Sequence, residues 1–498
     1  MKTHSRTALL LMMMIFVGSL SSCTMFGGSK EYSRTTNWEY NNPENGGFEV
    51  SAIKEQFPGP GLILIEGGTF TMGSNQEDLM FEWNNYPRRI TLTSFYMDET
   101  EVSNVDYLEY LYWLKRIYGA DYPQVYVNAL PDTLVWRERL SYNEPLIETY
   151  LRHPAYHDYP VVGVSWVQAN DYCAWRTDRV NEMILINQGI LNPDPDQRNE
   201  NNFNTEAYLA GQYEGLVNKP LPNLNPNSTG ERNVSIKDGI LVPKYRLPTE
   251  AEWEFAAYAL IGNTIYERVV ERRRYPWNGN FTRTDEKKYY GSFVANFKRG
   301  RGDYMGVAGA LNDAAAIPAP IGSYWPNDYG LYNMGGNVSE WVMDVYRPMS
   351  PEDVSDLNPF RGNVFKNAVR DQDGFLVPKD SLGRIRYEEV PDEDLVGRQN
   401  YRKADNRNYL DGDQMSQLSV NNDWLSDPAE SNTTNSMYEY GSTSMISDDS
   451  RVFKGGSWRD KAYHMSPGQR RFLNENMSTS YIGFRCAMTR VGSPNPGR

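Results

Sequence analysis

Tyr245-Arg246-Leu247-Pro248-Thr249-Glu250-Ala251-Glu252-Trp253-Glu254 is the stretch on which the reading of the fold turns. Thr249 followed three positions later by Glu252 is a capping box, in which hydroxyl and carboxylate each satisfy a backbone N–H left over at a helix start. Pro248 stands just before the cap, and Trp253, Ala256, Ala257 and Leu260 follow on the inward face of the predicted helix. The same device recurs at Ser103 and Asp106, ahead of Leu108, Leu111 and Tyr112. It recurs again at Ser165 and Gln168, ahead of Trp166, Ala169, Cys173, Val180 and Ile184. Those last positions share one helical face, which turns Cys173 toward the core.

Around these helices the chain alternates between ordered blocks and long irregular stretches. Gly61-Leu62-Ile63-Leu64-Ile65 reads as a short buried strand, followed by the glycine-rich turn region Glu66 to Gly73. Order resumes at Val452-Phe453-Lys454-Gly455-Gly456-Ser457-Trp458 and closes with Tyr481-Ile482-Gly483-Phe484-Arg485-Cys486-Ala487. Residues 185–243 are rich in Asn, Pro and Gly, and 347–450 in Asp, Ser, Asn and Pro. Both read as insertions in one domain over 59–490, with 491–498 a tail.

At the amino end, Lys2 and Arg6 precede the apolar run Ala8 to Val17, then Leu20-Ser21-Ser22-Cys23. Basic, apolar, small residues, cysteine: the order predicts a lipoprotein signal peptide over 1–22, cut before Cys23. Cys23 would carry the acyl chains, and 23–58 would be a tether. Similarity to bacterial lipoproteins implies an outer-membrane anchor facing the periplasm, since Thr24 is not the aspartate that retains such proteins in the inner membrane. No apolar run after Cys23 approaches the length that spans a bilayer.

The net charge is −14, and losing Lys2 and Arg6 deepens it by two. So acidic a body is a poor general ligand for nucleic-acid phosphate. The one basic cluster, Arg272-Arg273-Arg274, reads as a solvated face. The chain has three cysteines. With Cys23 acylated, Cys173 and Cys486 remain, and in an exported protein they are expected to pair, two buried thiols being the alternative. His153 and His157 stand four apart, but Pro154 lies between them and a loop or packing role is expected. Arg301-Gly302-Asp303 is read as a chance tripeptide.

Seven blocks carry a resemblance in order along the chain: Gly67 to Gly73, Tyr96 to Val102, Pro160 to Trp166, Tyr245 to Glu254, Tyr329 to Trp341, Gly455 to Trp458, and Gly483 to Cys486. Together they resemble the formylglycine-generating enzyme (sulfatase-modifying factor) family. That resemblance implies an α+β, irregular, C-type-lectin-like fold with low regular secondary structure. It also implies that Cys173 and Cys486 form the family's structural disulfide. The family's enzymes work through a late pair of cysteines that holds copper; Trp458 to Phe472, where it would fall, contains no cysteine. The expectation is a non-enzyme without copper.

The family's calcium segments resemble two sets here. One is Gly336, Asn337, Val338 and Glu340; the other is Asn296, Phe297 by its carbonyl, Asp313 and Ala315 by its carbonyl. A narrower resemblance, to the gliding-motility lipoprotein J type, rests on Ser33 to Glu49, Ala129 to Arg137, Tyr150 to Tyr156, Trp175 to Glu182, Ala295 to Lys298 and Gly302 to Tyr304. It implies a structural lipoprotein of the type IX secretion and gliding machinery, in a large complex with the K-type ring lipoprotein and its associates. The rivals are the K-type lipoprotein itself, a divergent enzyme using His464 or an unrecognised metal, and a glycan-binding module.

Overall fold

A computed structural model describes residues 31–52, 55–74, 85–139, 141–228, 230–260, 273–299, 317–347, 357–395 and 449–492. The chain divides into two compact units, one built from the amino-terminal residues to 54 with 218–240, the other from 55–217 with 241–498.

The larger unit begins with β1 (Leu62–Ile65), β2 (Gly68–Met72), β3 (Arg88–Leu92) and β4 (Phe95–Asp98). Two long helices follow, α1 (Asn104–Tyr118) and α2 (Trp166–Asn187), with short helices at Pro123–Ala129, Glu144–Thr149 and Thr205–Leu209, then β5 (Tyr245–Arg246) and α3 (Glu250–Tyr258). It ends with β6 (Ser339–Val345), β7 (Ser450–Lys454), β8 (Arg471–Asn474), β9 (Ile482–Gly483) and β10 (Ala487–Thr489). One sheet runs β1-β4-β10-β5, antiparallel throughout. A second runs β8-β7-β6-β9, with β9 parallel to β6. β2 and β3 form a separate hairpin. Short strands between long connections match the α+β fold of low regular content that the sequence implies.

All three capping boxes form. Ser103, Ser165 and Thr249 each accept from the N3 backbone N–H, while Asp106, Gln168 and Glu252 reach back to the cap. Ala169, Cys173, Val180 and Ile184 are buried along α2 as the spacing predicts. Tyr112 departs from expectation: it is 70% exposed, on the outer face of α1. Every residue of α3 is buried, because the helix packs against β2, β3, β6 and β7 and has no solvent face. The main core lies there, with Trp253, Phe255, Ala256, Phe70, Ile90, Met97, Val342 and Val452 at its centre.

The connection after α2 is partly structural: Phe203, Tyr208 and Tyr213 are buried and their rings meet edge-on or tilted. Of the expected 347–450 insertion, the described part forms a hairpin of Lys366–Ala368 with Tyr387–Glu389.

In the smaller unit, residues 31–52 fold with 218–240, although the sequence reads 23–58 as a tether. Arg232 grips the Asp238 carboxylate with both terminal nitrogens at 2.7 Å and reaches Glu49 through Nε at 2.8 Å. Gly47 sits at φ +69 with its Cα side against a neighbouring backbone: a Cβ there would lie 2.0 Å from the Leu224 carbonyl oxygen. Only glycine allows that approach. Lack of hydrophobic periodicity hides this unit from sequence reading, since ion pairs and backbone contacts hold it.

Candidate functional site

The stretch after β7 is where reactive chemistry would be sought. Ser457 donates its hydroxyl to Asp460 Oδ2 at 2.6 Å. Arg471 of β8 closes a bidentate pair with Asp460, both contacts 2.7 Å, and also donates to Ser339 Oγ on β6 at 2.8 Å. Burial would raise the Asp460 pKa, but the Arg471 guanidinium outweighs it and holds the carboxyl below its ordinary range. His464 is pushed down by burial and then by Arg471, so its imidazole stays neutral, and its Nδ1 is buried with no partner among the described residues. The donors here are carboxylate, hydroxyl, guanidinium and imidazole. None is the thiolate that holds a soft metal and exchanges with a substrate thiol. The stretch does not supply the thiolate pair with which the family's enzymes hold copper.

The two remaining cysteines lie deep in the larger unit. Cys173 of α2 and Cys486 before β10 are both buried, and their sulfurs approach to 3.4 Å as free thiols. The expected disulfide is not closed at that distance, since a bonded pair sits near 2.05 Å. Burial first, and then the neighbouring thiol, push the Cys486 pKa well up. Asp98 flanks it, accepting from the Cys486 N–H at 2.8 Å and from both terminal nitrogens of Arg176. Both sulfurs are buried and the Cys486 thiol holds its proton, so this pair is poorly suited to attack a substrate.

Around Trp253 lie two buried polar networks that sequence reasoning missed. In the first, Arg485 donates to both oxygens of Glu340 at 2.6 Å, and Trp253 Nε1 donates to Glu340 Oε2 at 2.8 Å. Glu340, expected among the calcium ligands, is an ion-pair partner of Arg485 here. Glu101 receives Asn333 Nδ2 on one oxygen and Asn337 Nδ2 on the other, at 2.9 and 3.0 Å. Burial above all, with a further push from Glu340 and against the pull of Arg485, raises Glu101 to about 8. It thus keeps its proton at neutral pH. In the second network, Lys454 meets Glu254 at 2.9 Å and Glu250 at 3.4 Å, while Arg470 pairs with both oxygens of Glu250 at 2.7 and 2.8 Å. Asp344 caps the Glu250 N–H and is pushed up to about 7 by burial and by the Glu250 charge. Glu250 and Glu254, one helical turn apart in a helix whose other residues apart from the capping Glu252 are apolar or aromatic, were the available signal: buried carboxylates require partners.

The calcium segments meet but do not form one cage. Gly336, at φ +85, packs so close to the Asn296 carbonyl that a Cβ would lie 2.6 Å from it. Asn337 Oδ1 accepts from the Ala319 N–H at 2.7 Å, and Val338 is buried among Trp136, Tyr150 and Trp458. In the other set, Asn296 donates to the Ile317 carbonyl at 3.0 Å, but its Oδ1 is buried with no partner among the described residues. An orphaned carbonyl oxygen is what a hard cation would complete. Phe297 is buried beside Phe293; Asp313 and Ala315 lie outside the described residues. Among the described residues no group of three or more His, Cys, Asp or Glu is placed to hold a metal ion. His153 serves locally, accepting from the Ala155 N–H through Nδ1. Arg301-Gly302-Asp303 also lies outside the described residues.

Residues 47–379 match the family described as "Sulfatase-modifying factor enzyme 1-like domain". The formylglycine-generating enzyme of Mus musculus is 24% identical over 306 residues, covering 57% of this chain and 58% of that protein. The match thus spans less than two thirds of the mouse enzyme. The "Inactive C-alpha-formylglycine-generating enzyme 2" of the same species is 23% identical over 319 residues, covering 61% of this chain and 73% of the relative. The "Chaperone protein LppX" of Paenibacillus barcinonensis is 24% identical over 293 residues, covering 58% and 74%. Catalytic and inactive proteins alike are similar to this chain.

Proposed function

This chain belongs to the sulfatase-modifying factor family, and we propose that it serves there as a non-catalytic, lipid-anchored scaffold. One observation carries the reading: the stretch where the enzymes' thiol pair would fall holds the Asp460–Arg471 ion pair instead. A carboxylate so engaged holds Arg471 in place, and Arg471 donates from β8 to Ser339 Oγ on β6. The relatives named as an inactive enzyme and as a chaperone are compatible with a non-catalytic role.

The finer reading rests on the narrower resemblance. The protein is of the gliding-motility lipoprotein J type, held through acylated Cys23 on the periplasmic face of the outer membrane. It acts in the type IX secretion machinery beside the K-type ring lipoprotein. Its structural calcium is held by Asn296, Phe297, Asp313 and Ala315, a set the orphaned Asn296 Oδ1 supports. On export, Cys173 and Cys486 close into a disulfide, which their approach to 3.4 Å favours.

The test is isolation of the acylated chain from native membranes, full-length or lacking residues 347–450. Companion lipoproteins are expected with the full chain and depleted with the deletion. Unchanged companions would remove the insertion from the contact surface, and a full chain isolated alone would overturn the scaffold reading.

A further inference from the structure

The smaller unit exposes three aromatic side chains close together in sequence. Tyr32 is 49% exposed, Trp38 59% and Phe48 67%, within a stretch of fewer than twenty residues. They belong to one connected piece of structure. Tyr32 is bridged to Glu39, so Trp38 lies next to that pairing, and the Tyr40 ring meets Phe48 edge-on at 5.6 Å. Asn41 closes the following loop, donating from its backbone to the Phe48 carbonyl and pairing with Val50 through its side-chain amide in both directions. Glu49 is then tied to Arg232 and to the Leu224 N–H. This segment is a fixed platform, not a free spacer.

Its position in the chain says what the aromatics meet. From Cys23 to Glu31 is eight residues, a reach of at most about 29 Å fully extended. With Cys23 acylated, Glu31 stays within that leash of the lipid, with Tyr32 next to it and Trp38 beside the Tyr32–Glu39 bridge. Trp and Tyr favour the membrane–water boundary, where the ring is buried and the polar edge stays wet. Residues 31–52 carry four glutamates against the single base Arg34, so the attraction is not to anionic headgroups. A tethered surface needs little intrinsic affinity, because the anchor supplies a high local concentration.

We propose that Tyr32, Trp38 and Phe48 form a docking face that rests in the interfacial layer of the bilayer holding the acyl chains, so that the segment after Cys23 seats this unit on the membrane. The inference rests on acylation of Cys23. It is tested with the full acylated chain carrying Thr36→Cys, an exposed position beside the aromatics, labelled with a polarity-sensitive fluorophore and reconstituted into phosphatidylcholine vesicles. The buried thiols of Cys173 and Cys486 do not compete for label under native conditions. The expected result is blue-shifted emission, most of which is lost when part of the lipid carries a nitroxide near the headgroup. In the variant Tyr32→Ser, Trp38→Ser, Phe48→Ser the probe should return to water-like emission while the chain still floats with the vesicles. Water-like emission from the unaltered platform on floating protein overturns the docking face and leaves the anchor standing. A blue shift that nitroxide lipid does not quench means protein contact and also overturns it. Absence of acyl groups on Cys23 by mass spectrometry, with failure to float, defeats the anchor and the docking face together.

Discussion

Glu340 and Arg485 show why single residues matter so much in this interior. Both are fully buried, and each removes the other's uncompensated charge. Breaking one partner of a buried pair costs on the order of 3–5 kcal/mol. Glu340→Gln should lower unfolding free energy by about that much, read from denaturant midpoints at constant m-value. Glu101 makes a different prediction. Its folded pKa is raised to about 8 from an ordinary 4.5, so the folded state binds more protons than the unfolded state across that interval. Its contribution is fully present below pH 4.5 and is lost as pH rises through 8. Stability should therefore fall between pH 5 and 8, and Glu101→Gln should flatten that slope in denaturant titrations across the range; an unchanged slope would show that Glu101 is not the group responsible. These residues were hidden in the sequence for a physical reason. Glu101 meets Asn333 across 232 positions, and composition does not tell a buried carboxylate from a solvated one. Asn296, Asn337 and Glu340 stood out only because the blocks around them resemble a known family, and that resemblance did not reveal that Glu340 is taken by Arg485.

Helices are the elements the sequence specifies best, because their starts are written locally. Ser103, Ser165 and Thr249 each carry a cap legible from four consecutive residues, and each forms. Thr249→Ala should cost about 1 kcal/mol through loss of the cap, measured as a shift in the unfolding midpoint. A value near zero would mean that the packing of α3 holds its first turn unaided. Strands were less legible. β5 and β9 are two residues long, and they exist only because β10 and β6 offer them partners from far along the chain. The platform of residues 31–52 was least legible of all, being held by Arg232, Glu49 and the close approach at Gly47 rather than by an apolar pattern.

At the scale of the whole molecule, the family's frame is kept while Trp458 to Phe472 holds no cysteine. Cys173 and Cys486 should be joined in protein recovered from the exported pool. A cross-link closing 313 residues is worth at most roughly 5–6 kcal/mol by chain entropy. Peptide mapping without reductant should recover the two half-cystines in one linked pair; free thiols at both positions in exported protein would contradict this. The measurement that bears most directly on the scaffold is turnover. Purified full-length protein, supplied with copper, oxygen and a cysteine-containing peptide, should leave every cysteine intact by mass spectrometry. Conversion of the peptide cysteine to an aldehyde would contradict the account, because Asp460 and Arg471 could not then be what occupies the reactive place.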